Sequence, residues 1–318
     1  MRVGHATTPD GRTGVSVLMF GQAAPTVVDV RGGASGTYDT ASLALDATFG
    51  RRWAIFLSGG SLFGLDAASG VRDEILHQGG GQSVFGNPNR VVPVSGAILF
   101  DLPSDPVPPA DYRTLGREAA QTAAPLVPFS GRIGAGAGAR IGKYLGRGHS
   151  QPGAVAVAVE ASLGFGSVAA LAVVNAVGAI RDPLRGRWVA GARDARGRLV
   201  PPGDLAAEPT AGTTLVALVT DVPAVRAVLQ RAAAFGHAGL TRAVVPAHTA
   251  TDGDVVFATS VAADARRPPP ERRPGETMDR LGTLAERATV SAIVAAARAA
   301  NRPSPRRVSE GASRADPG

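Results

Sequence analysis

The stretch Glu208-Pro209-Thr210-Ala211-Gly212-Thr213-Thr214-Leu215-Val216-Ala217-Leu218-Val219-Thr220-Asp221 passes within two residues from loop composition to an unbroken apolar run. An uncharged, β-branched run of this length bounded by turn residues predicts a strand over Thr214–Thr220 that is buried on both faces. Taken alone, Gly212-Thr213 is an ordinary loop-to-strand boundary. The other reading is chemical: a strained peptide that cuts itself and leaves Thr213 as a new N-terminal residue, with its hydroxyl as nucleophile and its own amine as base. Both readings stand at this point.

Working outward, similar short runs predict strands over 15–20, 26–31, 53–57, 92–100, 154–160, 168–174 and 255–259. Helical patterns cover 62–77, 112–123, 223–238 and 278–300; the last places Leu281, Leu284, Val290, Ile293 and Val294 on one face with Arg and Glu between. Asp221 before Val222-Pro223 reads as a helix N-cap. Strands and helices mix without strict alternation, which points to an α+β or layered sandwich fold. Residues 185–212, 264–276 and 302–318 are rich in Gly, Pro and Arg and read as loose, the last of them as a disordered tail.

With 318 residues, 44% hydrophobic and 19% charged, the chain can bury one large core or two small ones, and disorder of the whole is excluded. The net charge of +7 is concentrated at the end: from Arg266 onward there are 11 Arg against 6 acidic residues. A basic face over the body is therefore missing, and aromatics are only 5%, so a nucleic-acid partner is not expected. Cysteine is absent, and His5, His77, His149, His237 and His248 never fall at zinc-ligand spacing, so no metal site and no cofactor are expected. Met1–His5 leads into a polar turn, not an apolar leader, and the uncharged residues 161–180 are broken by Gly and Asn; a cytoplasmic protein without a membrane partner is expected.

Two glycine-rich stretches invite chemical readings. Gly131–Lys143 alternates Gly and Ala but places Tyr144 after its lysine where a phosphate loop needs Ser or Thr. It is either a tightly packed turn or a loop presenting Lys143 and backbone amides to an active site. Lys143 is the one lysine in the chain, and hence the one side-chain amine that can be neutral near pH 7. Leu57–Asp66 (LSGGSLFGLD) has strand-turn-helix character without matching Gly-x-Ser-x-Gly, so Ser61 reads as a helix cap before it reads as a nucleophile.

Several segments in order carry a family resemblance: Thr13–Val17 (TGVSV), Val28–Thr37 (VDVRGGASGT), Ser58–Asp66 (SGGSLFGLD), Gly134–Lys143, Val173–Gly178 (VVNAVG), Thr213-Thr214, His248-Thr249 and Asp252-Gly253-Asp254. Over nearly all of residues 1–302 the sequence resembles the DmpA-type aminopeptidases, which include β-peptidyl aminopeptidases, nylon-oligomer hydrolases and a pantetheine amide hydrolase. The resemblance implies a single domain with a four-layer αββα sandwich, connected differently from other N-terminal-nucleophile hydrolases. It implies self-cleavage into an α chain 1–212 and a β chain 213–318, assembled as a homo-oligomer, a tetramer of αβ units. Family members using Thr commonly have Asn before it, whereas Gly212-Thr213 is a hybrid of two patterns. A tyrosine that some members place near the substrate has no counterpart at Leu99-Phe100-Asp101.

The activity implied is hydrolysis of small peptides or amides through an acyl ester on Thr213, with acyl transfer as the alternative. In that scheme Asn175 donates hydrogen bonds to an oxyanion. Lys143 holds the nucleophile or lowers the pKa of the neighbouring amine. Asp252 and Asp254, spaced by two, share one face if extended and orient the amine or a substrate ammonium.

Overall fold

The structure, a computed structural model, describes residues 1–203, 211–263, 269–271 and 273–300. Its principal strands are β1 (Arg2–Thr7), β2 (Gly14–Val30), β3 (Gly36–Tyr38), β4 (Arg51–Ser58), β5 (Val94–Ile98), β6 (Phe129–Gly131), β7 (Ala154–Ser162), β8 (Gly166–Asn175), β9 (Thr213–Thr220) and β10 (Val255–Ser260). The helices are α1 (Ala67–His77), α2 (Tyr112–Gln121), α3 (Arg226–Ala243) and α4 (Glu276–Ala300). Hydrogen-bonded neighbours run β3-β5-β4-β2-β10-β9-β8-β7-β6, with β1 on the other side of the first half of β2.

Alternation along β9 sets the layers. Leu215, Ala217 and Val219 pack with Val155, Val157, Leu171 and Val173 against Leu18, Ile55, Leu57 and Ala97 of the facing sheet. Val216 and Leu218 point the other way, into α3 and α4 through Leu229, Ala233, Leu281, Ala288 and Ile293. On the far side, Val17, Ala54 and Phe56 pack under α1 and α2 through Val71, Ile75, Leu115 and Ala119. The result is the four-layer αββα sandwich that the sequence implies. Each fully buried Val or Leu on these faces contributes about 1.5–3 kcal/mol, so β9 is anchored from both sides.

Four local expectations need correcting. Residues 15–20 and 26–31 form one 17-residue strand, with a register irregularity between Met19 and Ala24 and Gly21 at φ 77°, so the chain bends from one sheet into the other without leaving the strand. The N-terminal residues do lead into a polar turn, at 9–12, and before it form β1, a strand the sequence reading did not include; Gly4 lets it approach α2, where a Cβ would come within 1.9 Å of the Ala119 carbonyl oxygen. Asp221 caps no helix: α3 starts at Arg226, and the Asp221 carboxylate instead accepts hydrogen bonds from the Ser167 amide and hydroxyl. Ser61 makes no capping bond; it sits at φ 53° in a 3₁₀ turn, and Gly60 takes the cap position. Part of the stretch read as loose is also ordered, Arg187–Ala190 pairing with Ala179–Asp182. Residues 204–210, 264–268, 272 and the expected tail at 303–318 lie outside the described residues.

His5 on β1 gives the fold an acid-sensitive point. Its Nδ1 lies 2.8 Å from the Ser16 hydroxyl, its ring packs edge-on against Phe129, and burial lowers its pKa to about 4. A base whose folded pKa is depressed favours the native state fully above its unfolded value and loses that contribution as the pH falls toward the folded one. Unfolding free energy should therefore drop by roughly 1–3 kcal/mol between pH 7 and pH 4 on this account. Denaturant melts of wild type and His5→Gln across that range check it: the variant loses less, and identical pH slopes would place the sensitivity elsewhere.

Candidate active site

The pairing of β8 with β9 ends on Asn175 opposite Thr213, which brings the last residue of one strand beside the first residue of the other. Both are buried, at 1% and 3% exposure. The Thr213 hydroxyl donates to the carbonyl oxygen of Gly212, the peptide immediately before it. That carbonyl also accepts from the Gly253 amide at 2.9 Å, while the Gly212 amide donates to Thr251 at 3.1 Å. Gly212 is thus held at both its N–H and its C=O, with an N–H already placed on the oxygen of the peptide bond preceding Thr213.

Glycine is required at 212 by crowding. A Cβ there would lie 2.3 Å from Asp252 Oδ1 and 2.5 Å from the Val177 amide nitrogen. At Gly253 an added Cβ would press on the Thr213 hydroxyl at 2.9 Å. The glycines of the Arg31–Ser35 segment serve the same close approach: at Gly32 a Cβ would fall 2.3 Å from the Asp252 carbonyl oxygen, and the Ala34 amide donates to that oxygen at 2.8 Å.

Both expected carboxylates are here, with separate tasks. Asp252 accepts from the Thr249 amide and hydroxyl at 3.0 and 2.7 Å, and its Oδ1 faces Gly212. Burial, reinforced by neighbouring Asp254, raises its pKa. Asp254 accepts from the Thr214 amide at 2.6 Å and from the His248 amide at 2.9 Å, with His248 Nδ1 at 2.8 Å. Spent on backbone N–H groups, Asp254 lies beneath the strand end, while Asp252 lies at the Gly212-Thr213 peptide.

Lys143 is held by the glycine-rich stretch, which is tightly packed. Gly136 and Gly138 pack against the backbone of Ala154-Val155 and Arg12, and Gly142, at φ 77°, packs against Gly191-Ala192. The chain then delivers Lys143 Nζ to the Ala211 carbonyl oxygen at 2.6 Å. The side chain is almost wholly buried, and desolvation lowers its pKa to about 7 despite the opposing field of Asp252. Its amine is therefore divided between charged and neutral forms near neutrality.

A cavity of about 210 Å³ opens beside this peptide, lined by Lys143, Asn175 and Ala211 together with Phe100, Asp101, Gly138, Arg140 and Arg147. Asn175 accepts from the Arg140 amide at 2.9 Å and donates to the Phe100 carbonyl at 3.0 Å, which uses one of its two N–H groups. Asp101 lines the same wall: its Oδ1 accepts from the Gly60 amide at 2.7 Å, burial raises its pKa, and the charge of Arg147 opposes that rise. Tyr112, from α2, lines a neighbouring pocket together with Asp101; its hydroxyl lies 3.1 Å from Thr13 Oγ1, and its pKa is pushed up to about 12 by burial. All five expected site residues thus come together around Gly212-Thr213. Sequence reasoning missed the Gly253 amide and the two cavity arginines; the signal for the first was a glycine between two candidate carboxylates.

The profile of peptidase family S58 matches residues 1–308, and the chain belongs to that family. Among curated relatives, an uncharacterised aminopeptidase of Mycobacterium leprae is 33% identical over 287 residues, 81% of this chain and 75% of that protein. A 6-aminohexanoate-oligomer endohydrolase of Paenarthrobacter ureafaciens is 31% identical, covering 81% and 72%. Solved structures with the same fold include a β-aminopeptidase of a Burkholderia species, at 18% identity and a TM-score of 0.62 over 93% of this chain and 83% of that one. The L-aminopeptidase D-Ala-esterase/amidase of Ochrobactrum anthropi has 17% identity and the same TM-score and coverage. The protein is a hydrolase of the peptidase class. Among the described residues no helix is long and apolar enough to cross a membrane.

Proposed function

We propose that the chain is a self-processing amide hydrolase of the aminopeptidase type that uses Thr213 first on itself and then on small peptides or amides. The observation that carries the reading is the Thr213 hydroxyl on the Gly212 carbonyl, with the Gly253 amide on the same oxygen. In maturation, Thr213 Oγ attacks the Gly212 carbonyl carbon, and the negative charge that develops on its oxygen meets the Gly253 N–H. Collapse breaks the C–N bond and passes the hydroxyl proton to the nitrogen, giving an ester and a free Thr213 amine. Water hydrolyses the ester, leaving an α chain ending at Gly212 and a β chain starting at Thr213.

In turnover the freed amine takes the Oγ proton, Oγ attacks the substrate carbonyl, and the amine product leaves with that proton before water releases the acid. Asn175 donates to the oxyanion, Lys143 in its neutral form accepts a proton from the Thr213 amine and so keeps that amine a base, and Asp252 holds the amine end. Kinship with relatives named as aminopeptidases and an oligomer hydrolase supports the substrate class. Intact-mass measurement after expression tests the proposal: two fragments beginning at Met1 and Thr213 are expected, and an uncut chain with full amidase activity would remove the mechanism.

A further inference from the structure

Asp252 and Asp254, two positions apart, are both 1% exposed at the start of β9. Burial and then the charge of Asp254 raise the pKa of Asp252, and hydrogen bonds from Thr249, with one from the Val177 amide, oppose the rise. The side chains that donate to this pair come from one dipeptide, and its two residues repeat the same pattern. His248 places its amide and its ring Nδ1 on a single oxygen, Asp254 Oδ2, at 2.9 and 2.8 Å. Thr249 places its amide and its hydroxyl on a single oxygen, Asp252 Oδ2, at 3.0 and 2.7 Å. The second oxygen of each carboxylate is turned toward the nucleophile's strand: Asp254 Oδ1 accepts from the Thr214 amide at 2.6 Å, and Asp252 Oδ1 faces Gly212.

The turn that does this is itself pinned. His248 sits at φ 58°, a region that Asn, Asp and His enter more readily than other side chains, and there its amide and ring converge on one atom. Because a carboxylate only accepts, the ring proton lies on Nδ1. The ring packs edge-on against His237 of α3, with centroids 4.9 Å apart, and His237 Nε2 lies 2.9 Å from the Asp29 carbonyl oxygen of β2. The Thr249 carbonyl accepts from the Gly33 and Asp252 amides at 3.3 and 3.1 Å.

We infer that His248 and Thr249 are positioning residues of the reaction, acting on Thr213 through the two carboxylates they clamp. The inference rests on the reading of Thr213 as nucleophile. Its test pairs a deletion with a conservative change at each position. Thr249→Val removes the hydroxyl and keeps the shape, whereas Thr249→Ser keeps the hydroxyl. His248→Ala removes the ring, whereas His248→Asn keeps a side-chain N–H and tolerates positive φ. Self-cleavage, timed by fragment mass from cell-free synthesis, involves no substrate and reads the clamp directly. Thr249→Val and His248→Ala should slow it by about 10- to 100-fold, the scale of one hydrogen bond to a charged group. In the cleaved protein the same loss should fall on kcat for an aminoacyl p-nitroanilide that the wild type hydrolyses, with KM within about twofold, since neither residue holds substrate. Thr249→Ser and His248→Asn should recover most of both rates.

Side chains that serve the fold alone would lower the melting temperature and leave kcat per cleaved molecule unchanged. Deletion variants with wild-type rates, a loss confined to KM, or conservative variants no better than the deletions overturn the inference. If His248→Ala yields no folded protein, the Thr249 pair decides alone. The nucleophile reading fails differently: an active wild-type chain that stays uncut removes both, whereas a wild type cut before Thr213 beside deletion variants that cut and turn over equally fast removes only the role of the turn.

Discussion

Thr213→Ala should yield a single 32.1 kDa chain in which neither self-cleavage nor amide turnover can be detected. The methyl of alanine keeps the β9 backbone, its pairing with Asn175 and the Gly253 contact to the Gly212 carbonyl, since these are main-chain features. The hydroxyl is lost, together with the γ-methyl beside it. Deleting the atom that forms the covalent bond costs on the order of 10⁴-fold or more, whereas a hydroxyl with a merely structural hydrogen bond would cost about 1 kcal/mol of stability and little rate. Thr213→Ser restores a primary hydroxyl and should cut itself and turn over substrate. If Thr213→Ala still separates into two fragments at residue 212, another group performs the attack and the scheme falls.

The second large effect belongs to Lys143→Arg. Lysine at this buried position donates to Ala211 in either protonation state, and near pH 7 a substantial fraction has a lone pair with which to accept a proton. Arginine is larger, planar and never neutral, so it keeps the charge and loses both the fit and the proton acceptor. Cleavage and turnover should fall by about 100-fold or more, the lower range for a lost acid-base group. The sign with pH follows from the depressed pKa: in wild type the rate should climb as pH rises through about 7 and the ammonium gives up its proton. That rise should be missing from the residual activity of the variant. Lys143→Met, of similar length and uncharged, separates misfolding from chemistry, because it should melt like wild type yet react as slowly as the arginine variant. Normal maturation of Lys143→Arg would make the lysine structural.

How far the sequence reached depends on the kind of signal each residue carries. The strand after Gly212 was legible because seven apolar or β-branched residues in a row have few alternatives, and the amphipathic face of α4 was legible for the same reason of periodicity. The single continuous β2 was not, because Gly21, Gln22 and Pro25 read as a break when only neighbours are considered, and it is pairing with β4 and β10 that makes the segment one strand. Asp221 looked like a cap from its order before Val222-Pro223, yet Ser167, 54 positions away, claims its carboxylate. Thr213, Asn175, Lys143, Asp252 and Asp254 were found through ordered motifs. What their geometry adds is a division of labour, since whether a carboxylate faces a scissile peptide or a strand amide depends on turns such as that of His248, at φ 58°, which no spacing rule reveals. Arg140 and Arg147 were hidden for a different reason: among 33 basic residues nothing in the sequence marks the two that line the cavity.

If the molecule is nicked as proposed, the strand order has a consequence for the two pieces. A cut before Thr213 assigns β9 and β10 to the smaller fragment, and they lie side by side in the middle of the sheet, flanked by β2 on one edge and β8 on the other, both from the larger fragment. Eight residue pairs bind β9 to β8 and five bind β10 to β2, so the two pieces are dovetailed and not merely touching. Dissociation would expose both sides of that central pair together with the faces beneath α3 and α4, and is therefore tantamount to global unfolding. A nicked molecule would run as one particle on a sizing column and as two bands only after denaturation. Once the fragments are parted, reassembly becomes a bimolecular reaction whose yield depends on concentration, so the precursor's peptide bond matters for getting the fold built and is dispensable for keeping it.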